Sequence, residues 1–170
     1  TEAKADLSNP IGVVNGKSIS FTTNVTNNWY SFTLAGNGNV LILGSDIYGG
    51  SITFDIYDEA LTNVVSGAYT KSESYSLNSG TYLLNITDTS GGTVTVYSTK
   101  LTNPLVANPP FGSVVNPVVP ENGKSGSFGT NVETNVRYFG MNSTGNVLVS
   151  GSDIYGGSIT FDIYDETLTK

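Results

Sequence analysis

The chain has 170 residues, 38% of them hydrophobic and only 12% charged, with a net charge of −7 and an isoelectric point near 4.2. Seven Lys and Arg residues cannot build a stripe that tracks phosphates, and an anionic bilayer surface would repel so acidic a chain. Neither Cys nor His occurs, which removes disulfides, thiolate and imidazole metal sites, and every Ser-His or Cys-His catalytic pair.

In chain order, SISFTTNV (18–25) alternates apolar and polar residues and reads as a strand. It follows Asn15-Gly16, a pair that supplies the positive φ angles of a tight turn. NWYSFTLA (28–35) puts Tyr30, Phe32 and Leu34 on one face and Trp29, Ser31 and Thr33 on the other. GNGN (36–39) is a turn, VLILG (40–44) a short apolar strand, and SDIYGG (45–50) a loop. SITFDIYD (51–58) alternates cleanly, with Ile52, Phe54 and Ile56 inward and Thr53, Asp55 and Tyr57 outward. VVSGAYT (64–70), SESYSL (72–77), TYLLNIT (81–87) and TVTVYS (93–98) follow as strands with turn residues between them. No stretch carries a helical period with caps. The pattern predicts an all-β fold of the sandwich or jelly-roll type.

The chain then repeats itself. GNVLILGSDIYGGSITFDIYDEALT (38–62) returns as GNVLVSGSDIYGGSITFDIYDETLT (145–169), at an offset of 107 residues and with three differences in 25 positions. The match continues upstream without a gap: Asn9-Pro10 with Asn116-Pro117, Phe21 with Phe128, and Phe32 with Phe139. Five of the six prolines fall between 101 and 120, which predicts a stiff extended connector. The expected organisation is tandem jelly-roll-like β-sandwiches: a complete unit at 1–100, a Pro-rich linker at 101–112, and a second unit at 113–170 that is incomplete in this chain, having no counterpart of 64–100.

One order of motifs resembles a known family. N-x-W-Y-S-F-T-L (27–34), G-N-V-L-I-L (38–43), I-T-F-D-I-Y-D (52–58), S-G-T-Y-L-L-N-I (79–86) and T-V-T-V-Y (93–97) are similar to the bacterial pre-peptidase C-terminal domain, which includes collagen-binding modules of clostridial collagenases. The family's Asp before Trp-Tyr is Asn28 here, and in the second copy Trp29-Tyr30 becomes Val136-Arg137. The resemblance implies a jelly-roll sandwich in secreted or surface proteins, serving as an accessory domain rather than a catalytic one. In some relatives an acidic N-terminal segment binds calcium, a region that offers Glu2 and Asp6 here.

Three groups of residues are candidates for function. Asp46, Asp55, Asp58 and Glu59, repeated as Asp153, Asp162, Asp165 and Glu166, carry oxygens of the kind calcium takes, on a spacing that matches no calcium-loop motif. The plainer reading is a solvated strand face and turn, and no cofactor other than calcium is suggested. Asn24, Asn85 and Asn142 head N-x-[ST] sequons, with Asn85 inside a strand. Tyr48, Tyr57, Tyr155 and Tyr164 lie in or beside the repeated stretch, where they can stack on sugars, pack at a protein interface, or pair across strands.

These features lead to the expectation of a non-enzymatic structural or adhesive repeat protein, extracellular or on the cell surface. Two explanations of the incomplete unit are open: the units self-associate head to tail into a filament, with strands of a neighbour completing the second sandwich, or the chain is a piece of a longer repeat protein. The alternative is an accessory module of a secreted hydrolase, docking on a matrix protein or a glycan. No nucleic-acid partner and no membrane insertion are expected.

Overall fold

The computed structural model describes residues 5–170. Among the described residues nine strands form: β1 (Ile11–Gly12), β2 (Ser18–Phe21), β3 (Trp29–Leu34), β4 (Gly38–Asp46), β5 (Ile52–Asp58), β6 (Asn63–Thr70), β7 (Ser72–Leu77), β8 (Gly80–Ile86) and β9 (Gly92–Tyr97). Short 3-10 turns occupy Val25–Asn27 and Val132–Thr134. The strands make a five-stranded sheet in the order β1-β3-β8-β5-β6 and a four-stranded sheet in the order β2-β9-β4-β7.

The ladders are nested. β5 pairs with β6, β4 with β7, β3 with β8 and β2 with β9, all antiparallel. Residues 18–97 are therefore one long hairpin with its tip between β5 and β6. Rolling that hairpin brings β9 beside β4 and β8 beside β5, which closes two sheets over one core. This is jelly-roll topology. We call β1 to β5 the first arm and β6 to β9 the second.

Alternation decides what is buried. Tyr30, Phe32 and Leu34 of β3 point inward, as do Ile52, Phe54 and Ile56 of β5, and all six are buried. They meet Ile42, Val94 and Val96 from the facing sheet, with Leu84 of β8 between them in their own. Phe32 stacks on Tyr82 with ring centroids 5.5 Å apart, and Phe54 meets Tyr75 edge-on at 5.9 Å. Each such side chain contributes roughly 1.5–3 kcal/mol of burial.

All eight strands expected in this region are present, with the largest boundary shifts at the end of β2 and at both ends of β4. β2 stops at Phe21 because the chain turns on Asn28, whose amide donates to the Thr22 carbonyl (2.6 Å) and whose Oδ1 accepts from Thr22 N (3.0 Å). β4 runs two residues into the expected loop and starts two residues early, inside the expected turn. β1 spans two residues, too short to show a period. The proline-rich segment does not hang free. Asn103 bonds to Thr33 and Val13, Asn15 N donates to the Pro104 carbonyl, and Val106 N donates to that of Asn15.

Residues 113–170 form no regular strand, only two isolated bridges, Val118 with Arg137 and Ser152 with Ser158. Their turns, however, repeat those of the first copy. Asp46 Oδ1 accepts from Tyr48 N and Gly50 N (2.8 and 2.6 Å), and Asp153 Oδ1 accepts from Tyr155 N and Gly157 N (2.8 and 2.7 Å). Asp58 and Asp165 bracket their own turns in the same way, and Leu61 and Leu168 share a left-handed backbone (φ 60° and 63°). Asn131 caps the second 3-10 turn as Asn24 caps the first.

Candidate functional site

The nested ladders explain this contrast. In the first copy every first-arm strand from β2 to β5 finds its antiparallel partner in the second arm. Among the described residues, the only ladder between two first-arm strands is β1 with β3, through Ile11 and Tyr30. Residues 113–170 match the first arm alone, and the bridge found there, Val118 with Arg137, is the counterpart of that one ladder. It is closed by Val118 N to the Val136 carbonyl (3.1 Å) and Tyr138 N to that of Val118 (2.9 Å).

The apolar residues of the second copy consequently lie open. Phe54 is fully buried and its counterpart Phe161 is 55% exposed; Ile56 is fully buried and Ile163 is 48% exposed. Phe128, Phe139, Val147 and Val149 are exposed where Phe21, Phe32, Val40 and Ile42 are buried. Identical local sequence therefore gives a core in one place and an uncovered apolar face in the other. An apolar face whose backbone is in no ladder is of the kind that β-strand addition covers.

The acidic candidates do not converge. Asp46 lies at the end of β4 in one sheet, while Asp55 and Asp58 lie on β5 in the other and Glu59 is exposed beyond it. Asp55 Oδ1 accepts from Gly67 N at 2.7 Å, so it too serves a backbone amide. No group of three or more acidic side chains suited to a metal ion occurs among the described residues. Asp6 accepts from Ser8 and Asn9 in a local turn; Glu2 lies outside the described residues.

The sequons differ in access. Asn24 and Asn142 are exposed, whereas Asn85 sits near the end of β8 on the outer face of the five-stranded sheet with its Oδ1 buried and accepting no hydrogen bond. The four tyrosines also separate. Tyr48 and Tyr155 project from equivalent turns, 82% and 90% exposed. Tyr57 packs on Trp29 at 5.5 Å, and burial, with Asp55 nearby, pushes its phenol pKa up. Tyr164 instead hydrogen-bonds Ser72 of β7 (2.8 Å), and burial raises its pKa as well.

Glu133 is the residue that sequence reasoning missed. It lies in the second 3-10 turn, buried against the outer face of the four-stranded sheet. Ser18 Oγ donates to one carboxylate oxygen (2.6 Å) and Thr95 Oγ1 to the other (2.9 Å). Burial pushes the carboxyl above the ordinary glutamate value, against the opposite pull of the Ser18, Thr95 and Thr93 hydroxyls. The signal was available: at the 107-residue offset Glu133 stands where the first copy has Thr26.

No helix among the described residues is long and apolar enough to cross a membrane. No family model and no curated protein matches the chain. Among solved structures, the pre-peptidase C-terminal domain of a collagenase from Bacillus anthracis is similar over 51% of this chain and 91% of its own, at 16% identity and a TM-score of 0.37. At that level the likeness carries no argument, and the all-β assignment rests on the two sheets themselves.

Proposed function

We propose that this chain is a non-enzymatic structural or adhesive repeat protein of the cell exterior, and that its second copy is a strand acceptor. The partner is a second-arm segment patterned like residues 63–97, with one central strand for each sheet and one further strand outside each. The single observation behind this reading is the exposure of Phe161 and Ile163 in a stretch whose twin buries Phe54 and Ile56 completely. Exchange of second arms between identical copies of these residues would empty one first arm for each it filled. The donor is therefore a segment other than residues 63–97 of an identical chain. Units joined by such completion build an open chain rather than a closed ring. The hydroxyl-rich surface and the lack of His and Cys suit a scaffold.

The test supplies residues 63–100 twice, as a free peptide and grafted after Lys170. Amide exchange across 145–165 should slow toward that of 38–58, and light scattering should report the complex. If 145–165 stays unprotected with both, or is protected in the parent chain alone, the acceptor reading fails.

A second reading, a binding module, is favoured by one feature. Trp29 and Asn85 line a groove of about 420 Å³ with Leu7, Val25 and Thr26, and Tyr57 packs beside Trp29. An aromatic pair beside an amide suits a glycan. Trp29 is the single tryptophan, so its fluorescence should respond to oligosaccharides if that reading holds.

A further inference from the structure

A row of side chains crosses the whole outer face of the four-stranded sheet. Ser18 of β2 pairs with Thr95 of β9, Thr95 with Leu43 of β4, and Leu43 with Ser72 of β7. Three of the four members of that row bond to the second copy, and the fourth lies between them. Ser18 and Thr95 bind Glu133, Ser72 binds Tyr164, and Leu43 is buried although it points away from the core that Val40 and Ile42 enter. The 3-10 turn bearing Glu133 packs on β4, Asn39 at the start of β4 donates to the Thr167 carbonyl (2.8 Å), and Lys170 pairs with Glu73 (3.5 Å). Val115 packs so closely on Gly16 that no side chain fits there: an added Cβ would lie 2.2 Å from Val115 Cγ2.

Some of the sequence differences between the copies fall at this contact. Of the three within the near-identical stretch, Ile42 and Val149 are a conservative exchange of one apolar residue for another. Leu43, outward-facing yet buried in the row that Glu133 and Tyr164 contact, is Ser150, whereas Ala60 is Thr167, which receives Asn39 through its backbone carbonyl and not its side chain. Glu133 replaces the exposed Thr26. Trp29, the packing partner of Tyr57, becomes Val136, so Tyr164 is released to bind Ser72.

We propose that the outer face of the four-stranded sheet is the docking surface for the following copy of the unit, and that Leu43 in the socket and Glu133 in the plug make the order one-way. The first copy has the socket and lacks the plug; the second has the plug and, at Ser150, lacks the apolar socket residue. The contact is heterologous, so it sets the direction of a repeat chain. It rests on the repeat reading above but not on strand completion.

The absence of cysteine allows a clean test. Spin labels on Ser66→Cys and Ser143→Cys, both exposed positions, report the separation of the copies in the intact chain. The parent should give one narrow distance distribution. Glu133→Thr and Leu43→Ser, which install each residue's counterpart, should each lose the narrow component while Trp29 fluorescence shows the sandwich folded. A broad distribution in the parent, or a narrow one that survives either substitution, overturns the proposal. No second-arm segment is added, so this failure is separate from failure of the acceptor reading.

Discussion

Phe54 and Phe161 occupy one position in two copies of the same sixteen residues, so replacing each by alanine isolates the effect of tertiary partners. Local propensity is matched, and the unfolded chains lose the same group. Phe54 is fully buried between the sheets and edge-on to Tyr75. Its truncation removes the transfer energy of the ring and leaves a cavity, costing about 3–5 kcal/mol. Phe161 is 55% exposed and has no opposing sheet, so its truncation leaves no cavity and costs about 1 kcal/mol or less. Urea unfolding followed by the fluorescence of Trp29, which lies in β3, reads the sandwich directly. With a slope of about 2 kcal/mol/M, Phe54→Ala should lower the midpoint by about 1.5–2.5 M and Phe161→Ala by less than about 0.5 M. Phe54→Leu gives a milder measurement if the alanine variant is too unstable. Equal shifts for the two positions would refute the claim that the second copy has no core. With residues 63–100 grafted after Lys170, the cost of Phe161→Ala should rise toward that of Phe54→Ala.

Other outcomes follow from the same contrasts. Gly44→Ala should destabilise the sandwich, because its Cβ would lie 2.9 Å from the Thr93 carbonyl and 2.4 Å from Ile52 Cδ1; Gly151→Ala meets only the movable Ile159 side chain, and its urea midpoint should match the parent. Docking of the second copy should be acid-favoured. Because the folded pKa of Glu133 is raised, its contribution is fully present below the ordinary glutamate value and is lost as pH rises through the folded value, so label distances should broaden as pH rises. Glu133→Gln should remove that dependence. Calcium should leave the melting temperature unchanged, since Asp46, Asp55 and Asp58 each hold a backbone amide; a rise that scales with calcium concentration would show a site these bonds do not occupy. Tyr75, half-buried beside Phe54, should ionise at about 12, mainly through burial, in a spectrophotometric titration.

What the sequence determined by itself is visible wherever the two copies agree. Asp46 and Asp153, Asp58 and Asp165, and Asn28 and Asn135 close their turns with matching bonds, because each bond links residues within six positions of one another. The inward and outward faces of β3 and β5 were likewise readable from alternation, as the burial of Phe32 and Phe54 shows. Tertiary structure decided whether an alternating stretch becomes a strand. ITFDIYD is β5 where β6 and β8 flank it, and no strand at 159–165, where neither has a counterpart. A turn satisfies its backbone locally, whereas a strand's amides and carbonyls need a ladder supplied from far along the chain. The same distance dependence hid the contact between copies. Glu133 meets Ser18 across 115 residues, a pairing that no local pattern encodes.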